Sequence, residues 1–519
     1  MDSMDTRTYQ LQLIKQLKNA LQALSVENQE FKNGLIGDNI SGENINIDIY
    51  NDDELVKFSQ KFIDFTYNNP TTYHVIDYAS QVLKENGFIY LSEKENWNDK
   101  INIGKYFTIR NGTSLVAFII GKDWEETRGV GAIGCHVDAL AAKLKPASIK
   151  ESVEGYELLG VAPYGGTLNH LWFDRDLGVG GCVLFKNEKD NKIKSILINS
   201  TPSPIAKIPS LAPHFGKSAE GPFDKEDQAV PVIGFHYLEK EDDIQISEEE
   251  SKCPLIGKHS IHLLRYIAKI AGIKVSQIVQ LDLDLFDVQK GSLGGLNNEF
   301  LFAPRLDDRL CSFAALWALV LFSKTVTIDS SDNFTLLGLF DNEEVGSLTR
   351  QGAKGWLMES AIEKVASARF GTKFNNLRTV FANSIILSAD VNHLFNPNFK
   401  EVYMKNHSPK PNVGVAISLD PNAHMATDVV GLAFVEELAR KNGDKMQYFQ
   451  IKNNSRSGGT IGPSIASQTG ARTIDLGIPQ LAMHSIRATT GSKDVGLGIR
   501  FFKGFYNNWR DVYDNYGDL

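Results

Sequence analysis

Phe334-Thr335-Leu336-Leu337-Gly338-Leu339-Phe340-Asp341-Asn342-Glu343-Glu344-Val345-Gly346-Ser347 decides how the chain is read. Its first seven residues form a short, mostly apolar run bounded by polar groups, as a strand buried on both faces would. A turn with two adjacent carboxylates follows at once. In an open α/β sheet, ligands and chemistry gather at the carboxyl ends of strands. Two consecutive Glu there can divide labour, one ligating a metal and the other moving a proton. A lone Glu-Glu is more often a solvated acidic turn. The rest of the chain decides between the two readings.

Downstream of this stretch, strands and helices alternate. Strands are expected at 379–389, 412–418, 446–451 and 472–477, and helices at 352–367, 426–441, 461–468 and 493–514. Upstream, Leu310–Ser323 reads as an apolar helix. Residues 55–68 and 75–86 carry helical periodicity, and 107–112, 114–121 and 128–134 read as strands. This alternation predicts an α/β fold with a mostly parallel sheet covered by helices on both faces. Residues 141–300 differ in texture. Short strands, frequent Gly and Pro and one clear helix (259–271) predict an inserted β-rich domain. The expected division is therefore 1–45, then a split domain of 46–140 and 301–519, with 141–300 inserted.

Residues 9–24 place Leu13, Ile14, Leu17, Ala20, Leu21 and Leu24 on one helical stripe. Gly34 to Asp48 reads as a flexible linker. A tethered amphipathic helix with no core of its own is a candidate for self-association or partner docking.

Composition excludes several classes. The 519 residues carry a net charge of −9, which argues against a nucleic-acid binder. No apolar run is long enough to span a membrane, and the first residues lack the pattern of a secretory signal. The four cysteines include no C-x-x-C pair, so a thiolate zinc site or redox motif is not expected. So few thiols in so long a chain fit folding in a reducing compartment.

Five element ends carry a His or carboxylate: His136 and Asp138 after 128–134, Asp307 before the apolar helix, Glu343 and Glu344, Asp390 after Ser384–Ala389, and His484 after 472–476. Unpaired charges beside apolar elements are costly, and a metal would satisfy them together. Imidazole and carboxylate donors suit zinc, cobalt or manganese. Two His and three carboxylates exceed the three protein ligands of one catalytic zinc. They suit two metals sharing a carboxylate, with a further carboxylate as general base. Each residue has an ordinary alternative: His136 a core histidine, Asp307 a helix cap, Asp390 a turn residue, His484 a surface histidine.

The ordered set His136-x-Asp138, Pro304-Arg305-Leu306-Asp307, Asp341-Asn342-Glu343-Glu344-Val345-Gly346-Ser347, Ser388-Ala389-Asp390 and Met483-His484-Ser485-Ile486-Arg487 resembles the aspartyl aminopeptidase family of dinuclear zinc peptidases. Asn69–His74, Ile208–His214 and Ser455–Pro463 support the likeness, which covers residues 50 to 519 and looks nearest to a fungal vacuolar branch.

The resemblance implies two Zn2+ per subunit, with Co2+ or Mn2+ as substitutes. His136 and Asp390 would bind one ion, Glu344 and His484 the other, and Asp307 would bridge them. Asp138 would orient His136, and Glu343 would be the general base. His214, acting from a neighbouring subunit, and His393 are candidates for binding the oxyanion. It further implies peptide substrates with neutral or hydrophobic N-terminal residues such as Leu, and a homododecamer with dimer contacts through the insert. The N-terminal helix would engage a selective-autophagy receptor, serve delivery from cytoplasm to vacuole, and be removed near residues 40 to 48.

Alternatives are a cytosolic enzyme preferring N-terminal Asp or Glu, which would need a cation such as Arg350, Lys405 or Arg456 in its pocket. Another metal-dependent hydrolase, or a self-assembling cargo or scaffold protein with a vestigial site, are further alternatives.

Overall fold

The computed structural model describes residues 51–235, 245–371 and 376–519. The expected helix over 9–24, its linker and the processing site at 40–48 lie outside the described residues.

Two sheets organise the described chain. A nine-stranded sheet runs, edge to edge, Ile89–Tyr90, Gly104–Arg110, Ser114–Ile120, Phe334–Phe340, Gly131–His136, Ile385–Ala389, Arg472–Gly477, Ala416–Ser418 and Gln447–Phe449. The four strands from Phe334–Phe340 to Arg472–Gly477 are mutually parallel, with antiparallel pairings outside them on both sides. The sheet is therefore mixed toward its edges and parallel at its centre. Every residue of Phe334–Phe340, Gly131–His136 and Ile385–Ala389 is buried, as expected of strands covered on both faces.

One face packs against helices Leu306–Thr325 and Asp494–Tyr513, which also pack on each other. The first of these is apolar around nearly its whole circumference and almost completely buried, the pattern of a core helix. Its Phe313 and Trp317 meet Phe62 and Phe58 of helix Asp52–Asn68 edge-on. Contact is so close here that a Cβ on Gly131 would lie 2.3 Å from Trp509 Nε1. Glycine is the residue that lets helix and strand approach this far. On the opposite face, Val116, Phe118, Phe334, Leu336 and Phe340 form one core with Leu357, Ile362, Val365 and Ile465. Burying each such large side chain contributes about 1.5–3 kcal/mol.

The second sheet runs Ile193–Asn199, Leu177–Lys186, Ile278–Asp287, Ala141–Ile149, Tyr156–Tyr164 and Val232–Phe235. All its described strands come from within residues 141–287, and all its pairings are antiparallel. Helix Ile261–Ala271 buries Leu263, Leu264 and Ile267 in this sheet's core. All four cysteines are free and buried.

Two expected elements are corrected. The strand expected over 379–389 starts only at Ile385. A short helix, Leu377–Ala382, precedes it, begun by the Asn376 side chain accepting from the Arg378 N–H. The helix expected from 352 starts at Leu357, because a 3₁₀ turn at Ala353–Gly355 and a left-handed Trp356 intervene.

Candidate active site

The site lies at the carboxyl ends of the central parallel strands. His136 closes Gly131–His136, and Asp390 follows Ile385–Ala389. After Phe340 the chain turns through Asn342 in the left-handed region, at φ 61° and ψ 25°. Asn tolerates this conformation better than most side chains. A single 3₁₀ turn, Glu343–Val345, follows, closed by the Gly346 N–H on Glu343 O at 2.8 Å and the Ser347 N–H on Asn342 O at 2.7 Å. This sharp exit presents both glutamates at the strand end. Asp307 sits in the first turn of Leu306–Thr325 with non-helical angles, and its peptide to Asp308 is cis.

These side chains converge. His136 Nε2 lies 3.2 Å from Asp307 Oδ1, 3.6 Å from Asp390 Oδ1 and 3.9 Å from Glu343 Oε2. His484 Nε2 lies 3.3 Å from Asp307 Oδ2 and 3.6 Å from Glu344 Oε2. Two groups result, His136–Asp307–Asp390 and Asp307–Glu344–His484, each compact enough to hold a metal ion. Asp307 belongs to both and turns one oxygen to each.

Asp138 sits behind them. Its carboxylate accepts the backbone N–H groups of Glu343 and Glu344, both at 3.1 Å, and the Tyr164 hydroxyl at 2.7 Å, and lies 3.3 Å from His136 Nδ1. A carboxylate behind a ligating imidazole fixes its tautomer and ring orientation. Tyr164 comes from the second sheet, and no local motif marks it.

The electrostatics are those of crowded, buried carboxylates. Burial, then the charges of Asp390, Asp138 and Asp307, push Glu343 up to about 8 against the pull of His136. Burial and the Asp307 charge hold Glu344 well above the usual carboxylate range, and burial raises Asp390. Burial opposes ionisation of Asp307 too, but hydrogen bonds with His136 and His484 outweigh it and hold its carboxyl low. The hydrogen bond to Asp307 raises His484 to about 9 despite burial. Burial disfavours a charge on His136, yet Asp390 and hydrogen bonds with Asp138 and Asp307 keep its pKa well above the ordinary value.

Divalent cations fit this arrangement. Glu344 Oε1 is buried with no hydrogen-bond partner among the described residues, and such an atom is costly unless something ligates it. The donors are nitrogen and oxygen without thiolate, a set that zinc accepts.

A cleft of about 270 Å³ opens on both groups. Val391, Met425, Phe449, Ile451 and Met483 supply its apolar wall, and Ser457, Gly458, Gly459 and Thr460 a polar one. Asp475 joins the segments behind it, accepting Thr460 Oγ1–H at 2.6 Å and the Ala426 N–H. His393 lines the cleft, its ring 5.0 Å from that of Phe449, and burial lowers its pKa. His214 is exposed in the 3₁₀ turn Pro213–Ala219 and is not among the residues lining the cleft of its own chain. Arg350, Lys405 and Arg456 are also exposed, and none of them lines the cleft.

Candidate ligand groups assembled at strand ends, beside a cleft of about 270 Å³, point to a metal-dependent hydrolase on an α/β scaffold. The chain belongs to the aminopeptidase I zinc metalloprotease (M18) family, whose model matches residues 65–506. It is a zinc-dependent aminopeptidase. It is 62% identical over 512 residues to vacuolar aminopeptidase 1 of Saccharomyces cerevisiae, covering 98% of this chain and 99% of that one. The fold is similar to the crystal structure of prApe1, with a TM-score of 0.88 at 64% identity over 90% of this chain and 98% of that one. It is likewise similar to the mApe1 dodecamer of S. cerevisiae, with a TM-score of 0.81 at 60% identity over 89% and 99% of the two chains.

Proposed function

We propose that the enzyme releases single neutral or hydrophobic residues, such as Leu, from the free N-termini of peptides, using two zinc ions per subunit. One observation carries the substrate reading: the cleft has an apolar wall and, among the described residues that line it, no Lys or Arg. An N-terminal Asp or Glu would enter with its charge unpaired, which is costly.

His136, Asp307 and Asp390 would hold one ion, and Asp307, Glu344 and His484 the other. Zinc, when bound, supplies Lewis acidity toward a carbonyl and lowers the pKa of water. Glu343 takes a proton from the attacking water and passes it to the leaving amine. Glu343 Oε2 lies 3.9 Å from His136 Nε2, beside the ligand group and facing the cleft, where a carboxylate can accept and return a proton. Asp138 keeps His136 in the tautomer that presents Nε2 to the ligand group. His393, kept neutral by burial, donates a hydrogen bond where oxyanion charge develops. His214 does the same from a neighbouring subunit.

The chain is read as three parts: residues 1–45 as a removable N-terminal segment, 46–140 with 301–519 as the catalytic domain, and 141–300 as the insert that makes dimer contacts. Likeness to a vacuolar enzyme and to a dodecamer supports a vacuolar, dodecameric enzyme. The apolar stripe of residues 9–24 supports delivery from the cytoplasm through a selective-autophagy receptor. A Leu17→Asp/Leu21→Asp pair should abolish delivery and leave peptidase activity intact, and normal delivery of this variant would refute that role.

The deciding assay compares Leu-p-nitroanilide, Asp-p-nitroanilide and N-acetyl-Leu-p-nitroanilide. Cleavage of the first alone is expected, and cleavage of the acetylated substrate would refute the aminopeptidase mechanism.

A further inference from the structure

We infer that Tyr164 is a positioning residue for the reaction, its hydroxyl fixing the Asp138 carboxylate on which both the glutamate turn and His136 depend. The inference rests on Glu343 being the general base.

The polarity of the network is determined by its members. An ionised carboxylate only accepts hydrogen bonds, so the single Tyr164 proton goes to Asp138 Oδ2 at 2.7 Å. The hydroxyl oxygen then accepts from Asn342 Nδ2 at 2.8 Å. Asn342 Oδ1 accepts from Thr349 Oγ1 at 2.8 Å, and Thr349 Oγ1 accepts the Gly352 N–H at 3.0 Å. Every bond in this series has one direction. It leads from the loop after the glutamate turn, through Tyr164, to the carboxylate that accepts the Glu343 and Glu344 N–H groups.

The ring is braced as well. Tyr164 is 9% exposed, and Lys143 Nζ lies 5.3 Å from its centroid while pairing with Asp284 at 2.9 Å. Tyr164 ends a strand of the second sheet, whereas Asp138 and Asn342 follow strands of the first. The catalytic turn is thus held in place partly by a residue of the insert. Without the hydroxyl, Asn342 Nδ2 loses its acceptor and Asp138 loses a donor that fixes its rotation. The glutamate turn would loosen, while Val391, Met425, Phe449 and Ile451, which form the cleft wall, belong to other segments and would stay.

The test is Tyr164→Phe in the full-length, zinc-loaded, assembled enzyme. We expect kcat with Leu-p-nitroanilide to fall about tenfold or more, with KM within about twofold and zinc content unchanged. Thr349→Val should show a smaller loss of the same kind, and the double variant should be no worse than Tyr164→Phe alone. Wild-type kcat in Tyr164→Phe, a loss accounted for by missing zinc or unfolding, or fully multiplicative losses in the double variant would each overturn the inference. Failure of the general-base reading is separately visible, as turnover retained by Glu343→Gln.

Discussion

Glu343 and Glu344 are neighbours in the chain but serve different histidines: Glu343 Oε2 approaches His136 Nε2 at 3.9 Å, and Glu344 Oε2 approaches His484 Nε2 at 3.6 Å. Their removal should therefore have different signatures. Glu343→Gln should keep the zinc content of the wild type and lose about 10²–10⁴ in kcat, the usual contribution of a positioned general base. Glu344→Ala should bind less than the full zinc complement. Metal analysis of both purified variants, beside their turnover, checks the contrast.

Stability of the metal-free enzyme should depend on pH in a defined direction. Glu343 rises from 4.5 to about 8 in the folded state, and His484 from 6.5 to about 9. A raised folded pKa stabilises below the unfolded value and loses that contribution as pH climbs through the folded value. Zinc-stripped protein should therefore lose Tm steadily between about pH 5 and 9, as the Glu343 and His484 shifts imply. Asp307, held low, opposes this only at acid pH. Bound cations relieve the carboxylate repulsion, so the gap in Tm between zinc-loaded and stripped protein should widen as pH rises. Calorimetry on both forms across this range measures it.

The cleft wall makes a specificity prediction. Ile451→Ala removes apolar surface from the cleft wall proposed to meet the N-terminal side chain. It should lower kcat/KM for Leu-p-nitroanilide by about 10–200-fold, the range for small losses in an apolar pocket, and leave Ala-p-nitroanilide much less affected. Ile451→Lys should raise the rate on Asp-p-nitroanilide relative to Leu. Steady-state kinetics on the three substrates decides.

His214 allows a complementation test. If it works across a subunit boundary, His214→Ala and Glu343→Gln each yield an impaired homo-oligomer. Particles assembled from a mixture of the two should recover activity above either parent, because some sites join an intact His214 to an intact Glu343. Recovery is read from co-expressed chains carrying different tags. Mixed particles no more active than the parents would assign His214 no role in trans.

How far the sequence discloses this site depends on which signal each residue leaves. His136, Glu343, Glu344 and Asp390 follow buried strands and Asp307 opens a buried helix, so each is noticeable, but each alone also has an ordinary reading, and only the ordered set of motifs, with His484, points to a site. The central strands were legible too: runs such as Phe334–Phe340 are apolar on both faces. Leu377–Ala382 misled because Thr379, Val380 and Phe381 favour strands, while the deciding signal was one capping side chain at Asn376. Tyr164 was invisible, since a tyrosine at a strand end looks like any core aromatic until its partner, 26 residues away, is placed. The cleft wall was hidden similarly: Val391, Met425, Phe449 and Met483 share no periodicity and meet only in three dimensions.

The two candidate ligand groups draw on positions from His136 to His484, carried by separate strands, one helix and the loop before Ala488–Gly491. No contiguous stretch contains both groups, and closing such long loops costs chain entropy that the rest of the fold must offset. A nascent or partly folded chain thus has nowhere to lodge zinc tightly. The two groups exist only where the strands, the helix and the loop are already in place, so a chain that has not reached its fold should show no peptidase activity.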